Sequence, residues 1–209
     1  MKKIMIMIVE DDQEWLKAMT SFLNNETDFY VAKAVSSREE ALQTINDSDQ
    51  PIDIILMDIN LTEDNLDGIY LTAQINQIRK VKIIMLTSLH NEKIIRDSFA
   101  AGAVNYIEKT NFKEIPSLIR SVHYHTSPVE ILLQDYYRLR RMELLGALTA
   151  AEREIFELVE SGMTQSQIEK KLYKSASTLK TQVSNILKKL GVSSSKEAVM
   201  KVRMMGIVK

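Results

Sequence analysis

The sequence contains no cysteine and only three histidines among its 209 residues. Without cysteine, the chain can form no disulfide bond, zinc-thiolate site or iron-sulfur cluster, and it has no cysteine nucleophile. Three scattered histidines leave little for a histidine metal cluster. Glycine and proline are also scarce, with six and three residues, so we expect the parts of the chain to be joined by ordered or short segments.

Long apolar runs are missing as well. The longest clear run, residues 4–9, falls far short of the roughly 18 apolar residues that a membrane-spanning helix needs. This run also lacks the length and the small-residue cleavage site of a signal peptide. We therefore expect a cytoplasmic protein without membrane insertion.

The composition is that of a folded protein, with 45% apolar and 26% charged residues. The net charge of -1 conceals an asymmetry between the two halves of the chain. Residues 1–125 carry 13 basic and 19 acidic side chains, a net charge of -6, whereas residues 126–209 carry 14 and 9, a net charge of +5. The opposite charges indicate two units with different partners.

The first half alternates apolar runs with segments of helical periodicity. The apolar runs are residues 4–9, 30–35, 52–57, 83–86 and 104–107, and the amphipathic segments are residues 14–24, 37–45, 68–78, 92–100 and 113–124. Five strand-helix units predict an α/β, doubly wound, five-stranded parallel sheet with helices on both faces. In such a sheet, ligands bind at the carboxyl ends of the strands.

The second half is predicted to be helical. Pro128 should end the preceding helix, and residues 129–145 can form a connecting helix. Three later positions carry helix-start signals: Thr149 with Glu152, Thr164 with Gln167, and Ser177. We predict three parts, namely a first domain at residues 1–125, a partly helical linker at 126–146 and a small all-α domain at 147–209.

Polar side chains follow four of the five predicted strands. They are Asp11 and Asp12 after the first strand, Asp58 after the third, Thr87 after the fourth and Lys109 after the fifth. Each alone could cap a helix, start a loop or lie in solvent, but all five together indicate one site. Clustered carboxylates repel one another unless a hard cation such as Mg2+ binds them. A lysine and a hydroxyl beside such a metal favour phosphoryl transfer, with Asp58 as the nucleophile.

Four segments carry a family resemblance. They are residues 8–12 (IVEDD), 55–59 (ILMDI), 85–87 (MLT) and 106–109 (YIEK). Together they resemble the receiver domain of two-component response regulators, over roughly residues 1–125. The resemblance implies that Asp58 accepts a phosphoryl group from a sensor histidine kinase.

The same resemblance implies a metal site and a switch. The implied ligands of Mg2+ (or Mn2+) are Asp11, Asp12, Asp58 and the backbone carbonyl of Asn60. The implied switch residues are Thr87 and Lys109, which engage the phosphoryl oxygens, and Tyr106, whose ring turns inward. Phosphorylation would then remodel the surface formed by the fourth helix, the fifth strand and the fifth helix.

The segment after Asp58 departs from the family pattern. Thr62 stands where a proline is usual, and the loop that leads to Asp67 and Gly68 is about two residues longer than usual. Glu63, Asp64 and Asp67 add negative charge, which could strengthen metal binding or slow the approach of an anionic phosphodonor. The alternative that we favour is that these three side chains point into solvent.

Residues 164–191 show the helix, turn, helix pattern of a helix-turn-helix. The apolar face of the second helix consists of Leu179, Val183, Ile186, Leu187 and Leu190. Its polar face lacks acids and consists of Lys180, Thr181, Ser184, Asn185 and Lys188. This composition suits a helix in the DNA major groove, although an ordinary solvated face remains an alternative for this helix taken alone.

Three segments resemble the LuxR-type DNA-binding domain, over about residues 147–209. They are residues 148–155 (LTAAEREI), 161–168 (SGMTQSQI) and 178–192 (TLKTQVSNILKKLGV). The resemblance implies base contacts from Lys180, Thr181 and Ser184, and backbone contacts from Thr164, Thr178, Asn185 and Lys188. Gln182 replaces a common histidine, and Tyr173-Lys174 stands where an apolar residue often precedes the turn, which bears on the DNA sequence that is recognised.

The last predicted helix, residues 195–205, has an apolar stripe formed by Ala198, Val199, Val202 and Met205. By resemblance, this stripe is a dimer contact on DNA. The alternative is that it packs on the core of its own domain.

Taken together, the sequence is identified as a member of the NarL/FixJ-type response regulators. Phosphorylation of Asp58 is expected to favour a homodimer that binds double-stranded DNA, and enzymatic activity is expected to be limited to self-phosphoryl transfer and autodephosphorylation. One rival is a regulator that works without phosphorylation, whose receiver-like domain serves dimerisation or partner binding. Another is a phosphatase with an aspartyl-phosphate intermediate, which lacks its usual second aspartate because position 60 is asparagine.

Overall fold

The computed structural model describes residues 3–47, 51–62, 66–88, 91–125 and 128–203. The chain divides into two compact units, Met1–Leu133 and Gln134–Lys209. Each unit has its own cluster of buried apolar side chains.

The first unit is built on a five-stranded parallel sheet in the order β2-β1-β3-β4-β5. The strands are β1 (Ile4–Val9), β2 (Phe29–Val35), β3 (Ile54–Asp58), β4 (Lys82–Thr87) and β5 (Asn105–Glu108). The helices that connect or follow them are α1 (Gln13–Asn24), α2 (Arg38–Asn46), α3 (Asp67–Ile78), α4 (Glu92–Ala100) and α5 (Ile115–Tyr124). This architecture confirms the predicted fold class.

The apolar composition of the central strands explains their position. Strand β3 is buried along its whole length, as expected for a parallel strand that has helices on both faces. In the register of the sheet, Asp58 at the end of β3 lies opposite Leu86, and Thr87 at the end of β4 lies opposite Glu108. The carboxyl ends of three neighbouring strands therefore meet at one edge of the sheet.

Local polar groups fix where the helices begin. The carboxylate of Asp12 accepts hydrogen bonds from the backbone N–H groups of Glu14 and Trp15, so α1 begins at Gln13. The helix predicted at residues 113–124 is shorter than expected, because a 3-10 segment, Lys109–Glu114, follows β5. Helix α5 starts only at Ile115, with Pro116 in its first turn, where the missing N–H costs no intrahelical bond.

The connector and the second unit are helical. The helices are α6 (Pro128–Gly146), α7 (Ala150–Glu160), α8 (Gln165–Leu172), α9 (Ala176–Leu190) and α10 (Ser195–Arg203). Helix α6 occupies most of the predicted linker, and the division between the two units falls within it. None of the helices in the described ranges is both long and apolar enough to cross a membrane.

Two of the three helix-start predictions in this unit hold. Thr149 and Thr164 form capping boxes with Glu152 and Gln167, respectively. The third prediction is wrong by two residues, because Ser175 and not Ser177 caps α9: the Ser175 hydroxyl accepts the backbone N–H of Thr178 at 3.2 Å.

Candidate functional site

Asp58 and Lys109 meet at the carboxyl edge of the sheet. Asp58, the last residue of β3, is only 4% exposed, and its Oδ2 lies 3.2 Å from Nζ of Lys109. Burial raises the pKa of the Asp58 carboxyl, although Lys109 and the backbone N–H of Asn60 oppose this effect. Burial lowers the pKa of the Lys109 ammonium, but its carboxylate neighbours outweigh burial and keep the side chain charged.

Glu10 is the residue that the sequence analysis missed. It is fully buried, and its two carboxylate oxygens lie 2.8 and 2.7 Å from Nζ of Lys109. Burial raises the pKa of Glu10 to about 7, an effect that Lys109 partly offsets. Lys109 therefore bridges two buried carboxylates.

Three carboxylates converge beside Lys109 and could hold a metal ion. Glu10, Asp11 and Asp58 each offer an oxygen, and these oxygens all lie within 4.8 Å of one another. An all-oxygen donor set on three acidic side chains fits a hard divalent cation such as Mg2+.

Asp12 departs from its expected role as a metal ligand. Its Oδ1 accepts the N–H groups of Glu14 at 2.9 Å and of Trp15 at 3.1 Å, which commits the carboxylate to the start of α1. The N–H groups in the first turn of a helix have no intrahelical partners, and the carboxylate of Asp12 accepts two of them because Asp12 directly precedes α1. Glu10 takes the place of Asp12 in the acidic cluster.

Substitutions of Asp11 and Asp12 should affect metal binding differently. Asparagine caps helices about as well as aspartate, so Asp12→Asn should leave the Kd for Mg2+ unchanged. Asp11→Asn should raise this Kd by about tenfold or more, because it removes a ligand charge from the cluster. Isothermal titration calorimetry measures both values. An equal loss of affinity for Mg2+ in Asp12→Asn would show that Asp12 is a metal ligand.

The segment that follows Asp58 is held against the site. The carboxylate of Asp58 accepts the backbone N–H of Asn60, and the side-chain Oδ1 of Asn60 accepts the N–H of Leu66 at 3.4 Å. A Cβ on Gly68 would lie 1.8 Å from the carbonyl oxygen of Asp58, so this position excludes every side chain. The role of the Asn60 carbonyl as a metal ligand stays a prediction.

A hydrogen bond joins Thr62 and Asp67, which lie on either side of the part of the longer loop that the structure does not describe. Asp67 is buried and accepts a hydrogen bond from the Thr62 hydroxyl, so the expectation that it points into solvent is wrong. Its position at the start of α3 accounts for this, because the first turn of a helix favours an acidic side chain. Glu63 and Asp64 lie outside the described residues.

Thr87 and Tyr106 lie on neighbouring strands beside the acidic cluster. Thr87 is 1% exposed at the end of β4, and a side-chain hydrogen bond joins it to Tyr106 on β5. Burial raises the pKa of Tyr106, so the phenol is neutral near pH 7. Two of the three predicted switch residues, Thr87 and Tyr106, are therefore linked to each other in this structure.

The second unit presents a polar surface built on α9. Leu179, Ile186 and Leu190 of this helix are buried in the core of the unit. All seven residues that the sequence analysis assigned to DNA are exposed: Thr164, Thr178, Lys180, Thr181, Ser184, Asn185 and Lys188. Their exposure on a face without acids is compatible with DNA contact, and their individual roles stay predictions.

Comparison with known proteins identifies both units. A family model described as response regulator receiver domain matches residues 6–120, and one described as bacterial regulatory proteins, luxR family, matches residues 146–202. The response regulator protein VraR of Staphylococcus aureus (strain NCTC 8325 / PS 47) is 32% identical over 201 residues, which cover 94% of each chain. This chain is a response regulator.

Solved structures agree with this assignment at the level of the fold. A Salmonella typhimurium RcsB response regulator superposes with a TM-score of 0.54 at 20% identity, covering 99% of this chain and 100% of that chain. A CheY-like receiver domain protein from Methanospirillum hungatei JF-1 gives a TM-score of 0.51 at 26% identity, covering 58% of this chain and 94% of that chain. The response regulator thus consists of a receiver domain followed by a LuxR-type DNA-binding domain.

The predicted dimer stripe of the response regulator needs correction. Ala198 is 1% exposed and Val202 is fully buried, and both belong to the core of the second unit. Side chains that are already covered within one chain cannot form a contact with another. Val199 packs partly against the same core, whereas Met205 lies outside the described residues.

The two departures noted in the sequence contact each other, because Tyr173-Lys174 lies in the turn before α9 and Gln182 lies within that helix. Nζ of Lys174 donates a hydrogen bond to Oε1 of Gln182 at 2.7 Å, which ties the turn to the recognition helix. Tyr173 adopts a left-handed conformation, with a φ of 52°, and is almost fully exposed. The apolar residue usual in this turn is thus replaced by a polar link.

Proposed function

We propose that this response regulator accepts a phosphoryl group on Asp58 from a sensor histidine kinase, and that phosphorylation promotes dimerisation and DNA binding. The observation that carries the proposal is the contact of Asp58 with Lys109 at 3.2 Å, beside two further acidic groups. Such a constellation holds a nucleophile, a cation for the developing charge and ligands for a metal within one site.

The chemical step follows from this arrangement. A carboxylate oxygen of Asp58 attacks the phosphorus of a phosphohistidine, and a P–O bond forms as the P–N bond breaks. The electron pair of the broken bond stays on the imidazole nitrogen, which the kinase retains. The ammonium of Lys109 neutralises charge on the transferring oxygens. Mg2+ held by Glu10, Asp11 and Asp58 would supply further positive charge at these oxygens.

The phosphoryl group then changes the contacts of Thr87. The Thr87 hydroxyl, which is linked to Tyr106 in this structure, is a hydrogen-bond donor within the same buried edge of the sheet. A phosphoryl oxygen is a strong acceptor, so it competes for this hydroxyl and releases Tyr106 to a new position. The surface around β5 changes as a consequence.

DNA binding is assigned to the polar face of α9. The Thr181 hydroxyl donates a hydrogen bond to the carbonyl of Ser177 at 3.0 Å. The lone pairs of the Thr181 hydroxyl and its methyl group stay available for contact with a base edge. We assign Lys180, Thr181 and Ser184 to bases, and Thr164, Thr178, Asn185 and Lys188 to the DNA backbone.

The test is to treat the full chain with acetyl phosphate and Mg2+. Intact mass should increase by one phosphoryl group, analytical ultracentrifugation should show a shift from monomer to dimer, and the affinity for double-stranded DNA should rise. A chain that binds DNA equally well with no gain in mass would contradict the proposal. That outcome would favour the alternative in which the first domain serves dimerisation or partner binding without phosphorylation.

A further inference from the structure

Trp15, the only tryptophan of the chain, lies beside Lys109 of the phosphoacceptor site. It is in the first turn of α1, where its N–H is held by the Asp12 carboxylate at 3.1 Å. The side chain packs against the core of the first unit, and Nζ of Lys109 lies 5.1 Å from the centroid of its ring.

This distance is within the range of a cation-π interaction. An ammonium within about 6 Å of a ring centroid is attracted to the aromatic face, and tryptophan gives the strongest attraction of the three aromatic residues. Lys109 keeps a side-chain exposure of only 16%, so little water competes for its charge. The ring attracts the ammonium without accepting a conventional hydrogen bond from it.

The ring complements the carboxylates around Lys109. Glu10 binds the ammonium at 2.7 Å, more closely than Asp58 does at 3.2 Å, so ion pairing alone favours a position near Glu10. An aromatic face restricts the ammonium while leaving its N–H groups available for oxygen atoms. A phosphoryl group on Asp58 supplies such oxygens.

We propose that Trp15 is a positioning residue for Lys109: its ring holds the ammonium beside Asp58 and thereby accelerates phosphoryl transfer to that carboxylate. The inference rests on the proposed function of Asp58, because it concerns the rate of the same reaction. In this proposal Trp15 acts through Lys109, with which it is in contact.

The first test compares Trp15→Leu with Trp15→Phe in the full chain. With acetyl phosphate and Mg2+, Trp15→Leu should slow phosphorylation by about fivefold, and Trp15→Phe, which keeps an aromatic face, should stay within about twofold of the unchanged protein. Phe22→Leu is the matched control, since Phe22 packs against the same core and contacts Phe112, with 5.7 Å between ring centroids. It should lower the thermal unfolding midpoint without changing the rate.

Equal rates for Trp15→Leu and Trp15→Phe would overturn the proposal. So would a loss of rate in Phe22→Leu that matches the loss in Trp15→Leu, because it would reveal a general effect of core packing.

A second test detects the contact without any phosphorylation. Because Trp15 is the only tryptophan, its fluorescence reports on this ring alone. Lys109→Met should shift the emission, Lys109→Arg should preserve most of the original spectrum, and Lys113→Met, which alters an exposed lysine of the 3-10 segment, should leave it unchanged. Unchanged emission in Lys109→Met would contradict the contact. If the protein without substitutions gains no phosphate, the proposed function is wrong. The Trp15 fluorescence of the Lys109 variants then still shows whether the ring of Trp15 contacts Lys109.

Discussion

Asp58→Asn is expected to abolish phosphate incorporation and to leave the fold intact. The amide of asparagine has nearly the shape of the carboxylate but is not a nucleophile toward phosphorus. Lys109 keeps its two contacts with Glu10, at 2.7 and 2.8 Å, so the substitution leaves no buried charge without a partner. Intact mass after treatment with acetyl phosphate and Mg2+ measures incorporation.

The stability of this variant provides the second part of the prediction. Burial raises the pKa of Asp58, which shows that the folded protein disfavours the charged form of this group. Replacing the carboxylate with a neutral amide should therefore leave the free energy of unfolding at pH 7 unchanged or slightly higher.

Asp53→Asn is a suitable control. Asp53 precedes the opposite end of β3, where its carboxylate accepts the N–H of Met5 at 2.9 Å. This variant should still gain one phosphoryl group. If Asp58→Asn incorporates as much phosphate as Asp53→Asn, a residue other than Asp58 is the nucleophile.

The three central strands of the sheet, β1, β3 and β4, could be predicted from the sequence because they are almost continuously apolar. The run at residues 4–9 is apolar throughout, and the observed strand β1 has the same limits. Strands that are buried on both faces need continuous apolar runs, and the polar residues that follow mark their carboxyl ends. Asp58, Thr87 and Lys109 could be located for this reason.

The choice among Glu10, Asp11 and Asp12 could not be made in the same way. All three are acidic, and a run of like residues gives no periodicity that shows which side chain faces the site. The deciding feature is the start of α1: once Gln13 is the first helical residue, Asp12 is the N-cap and its carboxylate is committed to backbone N–H groups. Of the three, Glu10 is the acid whose carboxylate contacts Lys109, at 2.7 and 2.8 Å.

For a related reason, the sequence alone could not decide whether the apolar stripe on α10 contacts a second chain or packs on its own domain. A helix face that contacts a second chain has the same apolar spacing as a face that packs on its own domain. Only the tertiary structure shows that Ala198 and Val202 are covered by their own domain. Apolar periodicity predicts that a face is buried, and it does not identify what buries it.

Lys180 and Lys188 are expected to affect DNA binding in different ways. Lys180 lies in the first half of α9, the part of a recognition helix that reaches base edges, and Lys188 lies in its last turn. Lys180→Ala should weaken binding to a selected target by about tenfold or more while hardly changing binding to a scrambled duplex. Lys188→Ala should weaken binding to both duplexes by a similar factor.

The salt dependence of the affinity separates the two lysines further. A lysine that neutralises one phosphate releases about one counterion, so Lys188→Ala should reduce the slope of log Kd against log salt concentration by about one. The target duplex is first selected from a randomised pool with the phosphorylated protein, and Lys196→Ala, on the exposed side of α10, serves as the control. Lys180 and Lys188 are exposed, and α9 contains no acidic residue, so both lysines should contribute to the affinity for DNA. Equal losses of specificity and of salt slope in the two variants would show that base and backbone contacts are not divided along the helix.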